Sequence, residues 1–156
     1  MAKFEMEMPT QLVNNLEDIY SNVEEMLGEM TKAGAKVVYK NIKENMKNSF
    51  KSTKALEKGL KITKTYKTKS DDAVNTKVGF YGYDDSKKTK QYPDGVPIPL
   101  IASAREYGTS SGERKKPFLR KAFKDEETIS NAMIKVQERY IKDEWLRINE
   151  KHIFKL

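Results

Sequence analysis

The 156-residue sequence contains no cysteine, one histidine and one tryptophan. Without thiols, disulfides, thiolate metal sites and cysteine nucleophiles are excluded together, which fits a reducing cytoplasm. The lone histidine, His152, lies near the C-terminal end, where chains fray, and reads as an incidental surface residue. Imidazole ligands for a transition metal are therefore poorly supplied. No apolar run approaches the roughly 18–20 residues that span a bilayer, so no membrane partner is expected. The opening Met1-Ala2-Lys3 leads into Phe4-Glu5-Met6-Glu7-Met8, which charge interrupts too often for a signal peptide. A soluble product is expected. Neither a GxxxxGK[ST] loop nor a GxGxxG fingerprint is present. Asp71-Asp72 and Asp84-Asp85 pair carboxylates, but beside turn residues and lysines they read as solubilising acids. No enzyme site emerges, and no cofactor or metal is called for.

What is abundant is charge: 30 Lys and Arg against 23 Asp and Glu, a net charge of +7. Its distribution is polar along the chain. Residues 1–30 hold Lys3 against Glu5, Glu7, Glu17, Asp18, Glu24, Glu25 and Glu29, whereas twelve lysines face only Glu44 and Glu57 in residues 31–70. Such polarity implies a charged partner surface, either a neighbouring copy of the chain or a polyanion.

The length favours one domain over residues 1–156, large enough to bury about 68–70% of its unfolded surface. Lys3–Met8 alternates apolar and polar residues, the period of a half-buried strand, and Pro9 ends it. Thr10 is a candidate N-cap. From Leu12 the apolar positions Leu16, Ile19, Val23, Met26, Met30, Ala35, Val38, Ile42 and Met46 keep helical spacing to about Asn48. Gly28 and Gly34 allow a kink or two helices in line. Lys32, Lys36, Lys40, Lys43 and Lys47, continuing to Lys51 and Lys54, form a stripe on another face. That stripe reads either as a solvated face or as a strip touching phosphate or an acidic neighbour, through Lys36, Lys40, Lys43 and Lys47 above all.

Leu60–Thr68 and Val74–Tyr83 alternate again, around the turn chemistry of Ser70-Asp71-Asp72, and predict an antiparallel hairpin within residues 58–83. Gly79-Phe80-Tyr81-Gly82 resembles an RNA-binding aromatic strand only superficially, because a second such strand is missing. Asp84–Pro99 reads as a loop with a tight turn at Pro93-Asp94-Gly95, in which Pro97 and Pro99 oppose ladder pairing. Leu100–Tyr107 should be a short helix. From Pro117 a last helix is expected to about residue 150, with Phe123, Ile129, Met133, Val136, Tyr140 and Ile141 as its buried stripe and Asp125 as an alternative N-cap that would break it. The fold class is α+β: a small antiparallel sheet packed by a long N-terminal helix and a long C-terminal helix.

Ile101–Phe123, IASAREYGTSSGERKKPFLRKAF, is the most specific segment. Gly108 can turn the chain where other residues would be strained, and Pro117 sits where a helix start tolerates proline. Glu106, Tyr107, Gly108, Thr109, Pro117, Phe118, Leu119, Arg120 and Ala122 resemble the pattern "aliphatic, Glu, aromatic, Gly-Thr, loop, Pro-Phe-Leu/Met, Arg, basic or Pro, Ala" of the tail-completion, or head-to-tail neck, proteins of long-tailed bacteriophages and prophages, with Lys121 as an allowed variant. Ser52-Thr53-Lys54-Ala55-Leu56 lacks the glycine that the family often carries before its first hairpin strand.

The resemblance implies a structural virion component of the tail or neck, assembled in the host cytoplasm. Its partners would be other neck and tail proteins and further copies of itself in a ring, commonly a hexamer, through which DNA passes without being read. The motif residues would hold the sheet-to-helix junction, with loops 84–99 and 110–116 adaptable until they meet neighbours. The basic rim around Arg105, Arg114, Lys115, Lys116, Arg120 and Lys121 would face an acidic patch such as Glu17–Glu29 of the next copy. The alternative is a basic nucleic-acid-binding module that uses the Lys32–Lys54 stripe.

Overall fold

The computed structural model describes the backbone of residues 10–51, 53–70 and 72–153, and within these the side chains of residues 22–147. The strand expected at residues 3–8 lies outside the described residues, as do the side chains of Glu17, Asp18 and His152.

The apolar spacing from Leu12 to Met46 produces one continuous helix, α1 (Thr10–Ser49), of 40 residues. At 1.5 Å per residue it is about 60 Å long. Neither Gly28 nor Gly34 breaks it. Gly34 instead allows a close approach: a Cβ there would sit 3.1 Å from the Met133 sulfur of the C-terminal helix. On the second half of α1 the predicted stripe is buried, with Ala35, Val38, Ile42 and Met46 each at most 6% exposed.

A short helix, α2 (Lys54–Gly59), follows; the Thr53 hydroxyl accepts the Leu56 N–H at its start. Next come β1 (Leu60–Ile62), β2 (Tyr66–Lys67), β3 (Val74–Asn75) and β4 (Val78–Phe80). They form one hairpin with a shift in register. Leu60 pairs Phe80 and Ile62 pairs Val78, but Tyr66 pairs Asn75 and Lys67 pairs Val74, so the first strand carries one residue more than its partner. Thr63 N–H still donates to the Lys77 carbonyl (2.8 Å), while the Thr65 and Thr76 hydroxyls meet at 3.1 Å. The added residue is Lys64, a bulge that twists the outer half of the hairpin. That outer half lies along α1, held by Thr31 to Thr76 (3.0 Å) and by the ion pair of Lys67 with Glu24.

A second hairpin pairs β5 (Tyr83–Asp84) with β6 (Val96–Pro97). Pro97 therefore does join a ladder, contrary to expectation; the strand is two residues long and runs straight into a helix, where a missing N–H costs little. Asp84, expected as an exposed acid, is 5% exposed and accepts from Ser86 N–H (3.2 Å) and Ser86 Oγ (2.5 Å). The loop between these strands is not slack: Thr89 and Tyr92 exchange backbone hydrogen bonds of 3.1 Å, and Gly95 N–H closes a turn on Tyr92 (3.2 Å).

Helix α3 (Ile98–Tyr107) begins two residues before the expected Leu100, with Pro99 in its first turn. The helix expected from Pro117 to residue 150 is broken. A four-residue helix, α4 (Leu119–Ala122), is separated from α5 (Glu126–Ile153). Asp125 makes the break by capping α5: its backbone carbonyl accepts from Ile129 (3.1 Å) and its carboxylate from Thr128 N–H (3.4 Å). Hydrogen bonds from Thr128, with help from Asn41, hold the Asp125 carboxyl below its ordinary value despite the opposing effect of desolvation. The expected stripe on α5 is only half-buried at Ile129, Met133, Val136 and Tyr140, and Phe123 and Ile141 are exposed. One helix face against one other helix cannot enclose it.

The core lies where α1, α2, the first hairpin, α3 and α4 converge: Val38, Ile42, Met46, Leu56, Leu60, Phe80, Ile98, Ala102, Phe118 and Ala122. Phe118 is its centre, edge-on to Phe50 (5.3 Å) and to Phe80 (5.9 Å). Phe80 thus points inward, not towards a nucleic acid. The α1–α5 pair extends away from this core. The molecule is α+β, with two long helices and small antiparallel sheets.

Candidate functional site

The sequence motif folds into one junction around Glu106. Near the end of α3 its side chain is fully buried, and its carboxylate receives the first N–H groups of the α4 region: Phe118 (2.6 Å) and Leu119 (2.8 Å) on Oε2, Arg120 (3.3 Å) on Oε1. Arg120 Nε adds a fourth bond at 3.0 Å. Burial pushes the Glu106 carboxyl up, but these hydrogen bonds outweigh it and hold the group below the ordinary glutamate range. The first N–H groups of a helix have no partner within it. Here a carboxylate from twelve residues upstream supplies one, closing the loop of residues 107–117.

Helix α1 holds α4 at both ends through backbone carbonyls. Asn45 Nδ2 donates to the Phe118 carbonyl (3.2 Å), and Asn41 Nδ2 to the Ala122 carbonyl (3.3 Å) and to Asp125 Oδ2 (3.4 Å). The two asparagines are four residues apart, hence one above the other on α1. A helix of four residues is far below the length that is stable alone. Side chains from α3 and α1 fix its donors and its acceptors.

Gly108 ends α3 at φ 81° and ψ 179°, a region that side-chain-bearing residues essentially never occupy, and a Cβ would meet the Glu113 carbonyl at 2.6 Å. Thr109 organises the loop: its N–H donates to the Glu113 carbonyl (3.1 Å), its carbonyl accepts from Gly112 (3.2 Å) and its hydroxyl accepts from Glu113 N–H (3.2 Å). Lys116 N–H returns to the Arg105 carbonyl (2.8 Å), and Arg105 pairs with Glu113 while stacking on Phe50. The loop at 110–116, expected to be adaptable, is internally bonded. Pro117 is half-buried, Leu119 packs against the core, and Ala122 is fully buried. Tyr107 is 63% exposed, with the Arg120 guanidinium 5.2 Å from its ring centroid. The motif thus divides into buried structure (Glu106, Phe118, Ala122) and an exposed aromatic and basic rim.

Lys36, Lys40, Lys43 and Lys47 are exposed along the stretch of α1 that carries Asn41 and Asn45, no described ion pair or hydrogen bond joins them to the junction, and Lys40 pairs with Glu44 at 3.8 Å. Glu24 and Glu29, expected to face a neighbour, pair within the chain with Lys67 and Arg139. Sequence reasoning missed Asn41 and Asn45. Their signal was a pair of polar residues at helical spacing on the edge of the stripe at Val38, Ile42 and Met46. No group of acids and histidines able to hold a metal occurs among the described residues. Nor is any described helix long and apolar enough to cross a membrane.

Residues 10–81, which run from α1 through β4, match the model of the HK97-gp10-like family, described as "Bacteriophage HK97-gp10, putative tail-component". The match is consistent with a phage neck or tail family. It supports a structural protein of the phage tail or neck, a component class and not an enzyme class. The matched span ends before the Glu106 junction, so the phage-tail match and the motif resemblance rest on different residues. No curated protein and no solved structure matches the chain.

Proposed function

We propose that the chain docks as an oligomeric ring between the head connector and the tail tube, with DNA passing through the ring unread. The observation that carries this reading is the Glu106 junction. A buried carboxylate fixes α4 so that Tyr107, Arg120 and the loop of residues 108–116 form a preordered rim, next to a chain segment that matches a phage tail component. Preordering lowers the entropy lost on docking. The exposed lysines of α1 suit the passage of a polyanion past one face of such a ring, because phosphate contacts carry no sequence information.

Immunogold labelling of assembled particles tests the reading. Label at the head–tail junction is expected; label along the tail tube, over the capsid or absent from particles contradicts it. A duplex-DNA binding assay in solution separates this reading from the nucleic-acid module: a ring component shows negligible affinity, whereas a phosphate-binding module binds with an affinity that falls steeply as salt rises.

A further inference from the structure

Far from the junction, the acidic half of α1 and the end of α5 enclose a groove of about 210 Å³ lined by Asn22, Val23, Met26, Tyr140, Ile141, Glu144 and Trp145. Its walls are apolar, and Ile141 and Trp145 are 59% and 63% exposed at its mouth. One polar group stands out. Glu144 Oε1 accepts from Asn22 Nδ2 (2.7 Å) and Arg147 (2.9 Å), but Glu144 Oε2 is buried with no hydrogen-bond partner among the described residues. A buried carboxylate oxygen without a donor is costly, and it marks where a donor would be gained.

The chain holds a matching donor. Of its five arginines, Arg105 pairs with Glu113, Arg120 with Glu106, Arg139 with Glu29 and Arg147 with Glu144. Arg114 is exposed, with no carboxylate partner among the described residues. It sits on the ordered loop of residues 108–116, between Glu113 and the exposed Lys115. An arginine suits the groove better than a lysine, since its methylenes can lie on Val23 and Met26, its planar head can stack on Trp145, and its fork can bond a carboxylate.

The pair cannot form within one molecule. The loop is anchored beside Phe50, where Arg105 stacks, and the groove lies beside Val23 and Met26. These points are about 36–40 Å apart along α1 at 1.5 Å per residue. Lys116 is bonded back to Arg105, so Arg114 has only a few ångströms of slack.

We propose that the α1–α5 groove receives the Arg114 loop of a second copy of this chain, with the guanidinium bonding Glu144 Oε2 against Trp145. The contact joins two different patches, so it is heterologous and propagates head to tail into a closed ring or a filament. It rests on the ring reading above and names the surfaces that would build the ring.

Trp145 is the chain's only tryptophan, so its emission reports the groove directly. Full-length protein is followed by sedimentation velocity and by tryptophan emission over a concentration series at low and high salt. Self-association is expected, with emission moving to shorter wavelength as multimers form and with weakening at high salt. Arg114→Glu, a change on an exposed loop, should leave the circular dichroism unchanged and weaken association by roughly 30-fold or more, as for one partner of a buried charge pair. Mixing Arg114→Glu with Glu144→Arg should restore association that each variant lacks alone. Multimers that form without a change in Trp145 emission, or that Arg114→Glu leaves intact, overturn the groove assignment and leave the ring reading standing. A monomer with an unchanged spectrum at every concentration overturns it too; labelling of particles still decides the ring reading independently.

Discussion

Replacing Glu106 by alanine strands the Phe118 and Leu119 N–H groups, which now bond its carboxylate at 2.6 and 2.8 Å. A buried donor without an acceptor costs about 1–3 kcal/mol. Two together cost about 3–5 kcal/mol, the range seen when one partner of a buried charge contact is removed. For a chain of this size each kcal/mol moves the melting temperature by roughly 2–4 °C, so Glu106→Ala should lower it by roughly 6–20 °C. The Arg120 side chain is 59% exposed, and its ion pair is screened by water, so Arg120→Ala should cost at most about 1 kcal/mol. Glu106→Gln keeps the shape but loses the charge, and should fall between them at about 2 kcal/mol. Urea unfolding followed by circular dichroism, with equal slopes for all variants, measures the series. A Glu106→Ala variant within about 0.5 kcal/mol of the parent would show that the carboxylate does not hold these N–H groups. Arg120→Ala as damaging as Glu106→Ala would show that the carboxylate serves the arginine and not the backbone.

Because the Glu106 carboxyl is held below its ordinary value in the folded chain, its contribution is present above the usual glutamate range of about 4.3 and is lost as pH falls through the folded-state value. The stability gap between the parent and Glu106→Gln should therefore close on acidification, which paired urea titrations at several pH values would show. Gly108→Ala forces a side chain into a glycine-only conformation against the Glu113 carbonyl and should cost about 1–3 kcal/mol, read as a lower melting temperature. Phe118→Ala empties the centre of the core and should cost about 3–5 kcal/mol in the same assay. The double change Asn41→Ala with Asn45→Ala frees the carbonyls of α4; hydrogen exchange should then quicken at residues 118–123 before it does so in α1.

The long elements were legible in the sequence because burial on one side leaves a period. The stripe at Ala35, Val38, Ile42 and Met46 records it in full; in the alternation at Val74, Thr76, Val78 and Phe80 only Phe80 is buried and the others are half-buried. Short-range details were less so. The register shift at Lys64 accompanies the contacts of the outer hairpin with α1, and no local residue announces it. The break before α5 was written in Asp125, but a cap residue and an interior aspartate look alike until Thr128 is seen to donate to it. The motif marked the right stretch of chain, with Gly108 and Pro117 as its readable punctuation. The role of Glu106 was hidden, because a buried carboxylate is tolerated only where N–H groups twelve to fourteen residues away converge on it. Asn41 and Asn45 showed only as polar residues at helical spacing; what they hold, chiefly the Ala122 and Phe118 carbonyls, no side-chain pattern reveals.

The proposed ring at the neck of a phage particle is tested by counting copies of the chain in purified particles, by quantitative mass spectrometry referenced to the capsid and tail-tube subunits. One ring's complement of copies per particle is the predicted result. A copy number that matches the tail-tube subunit, or no copies in intact particles, would contradict it.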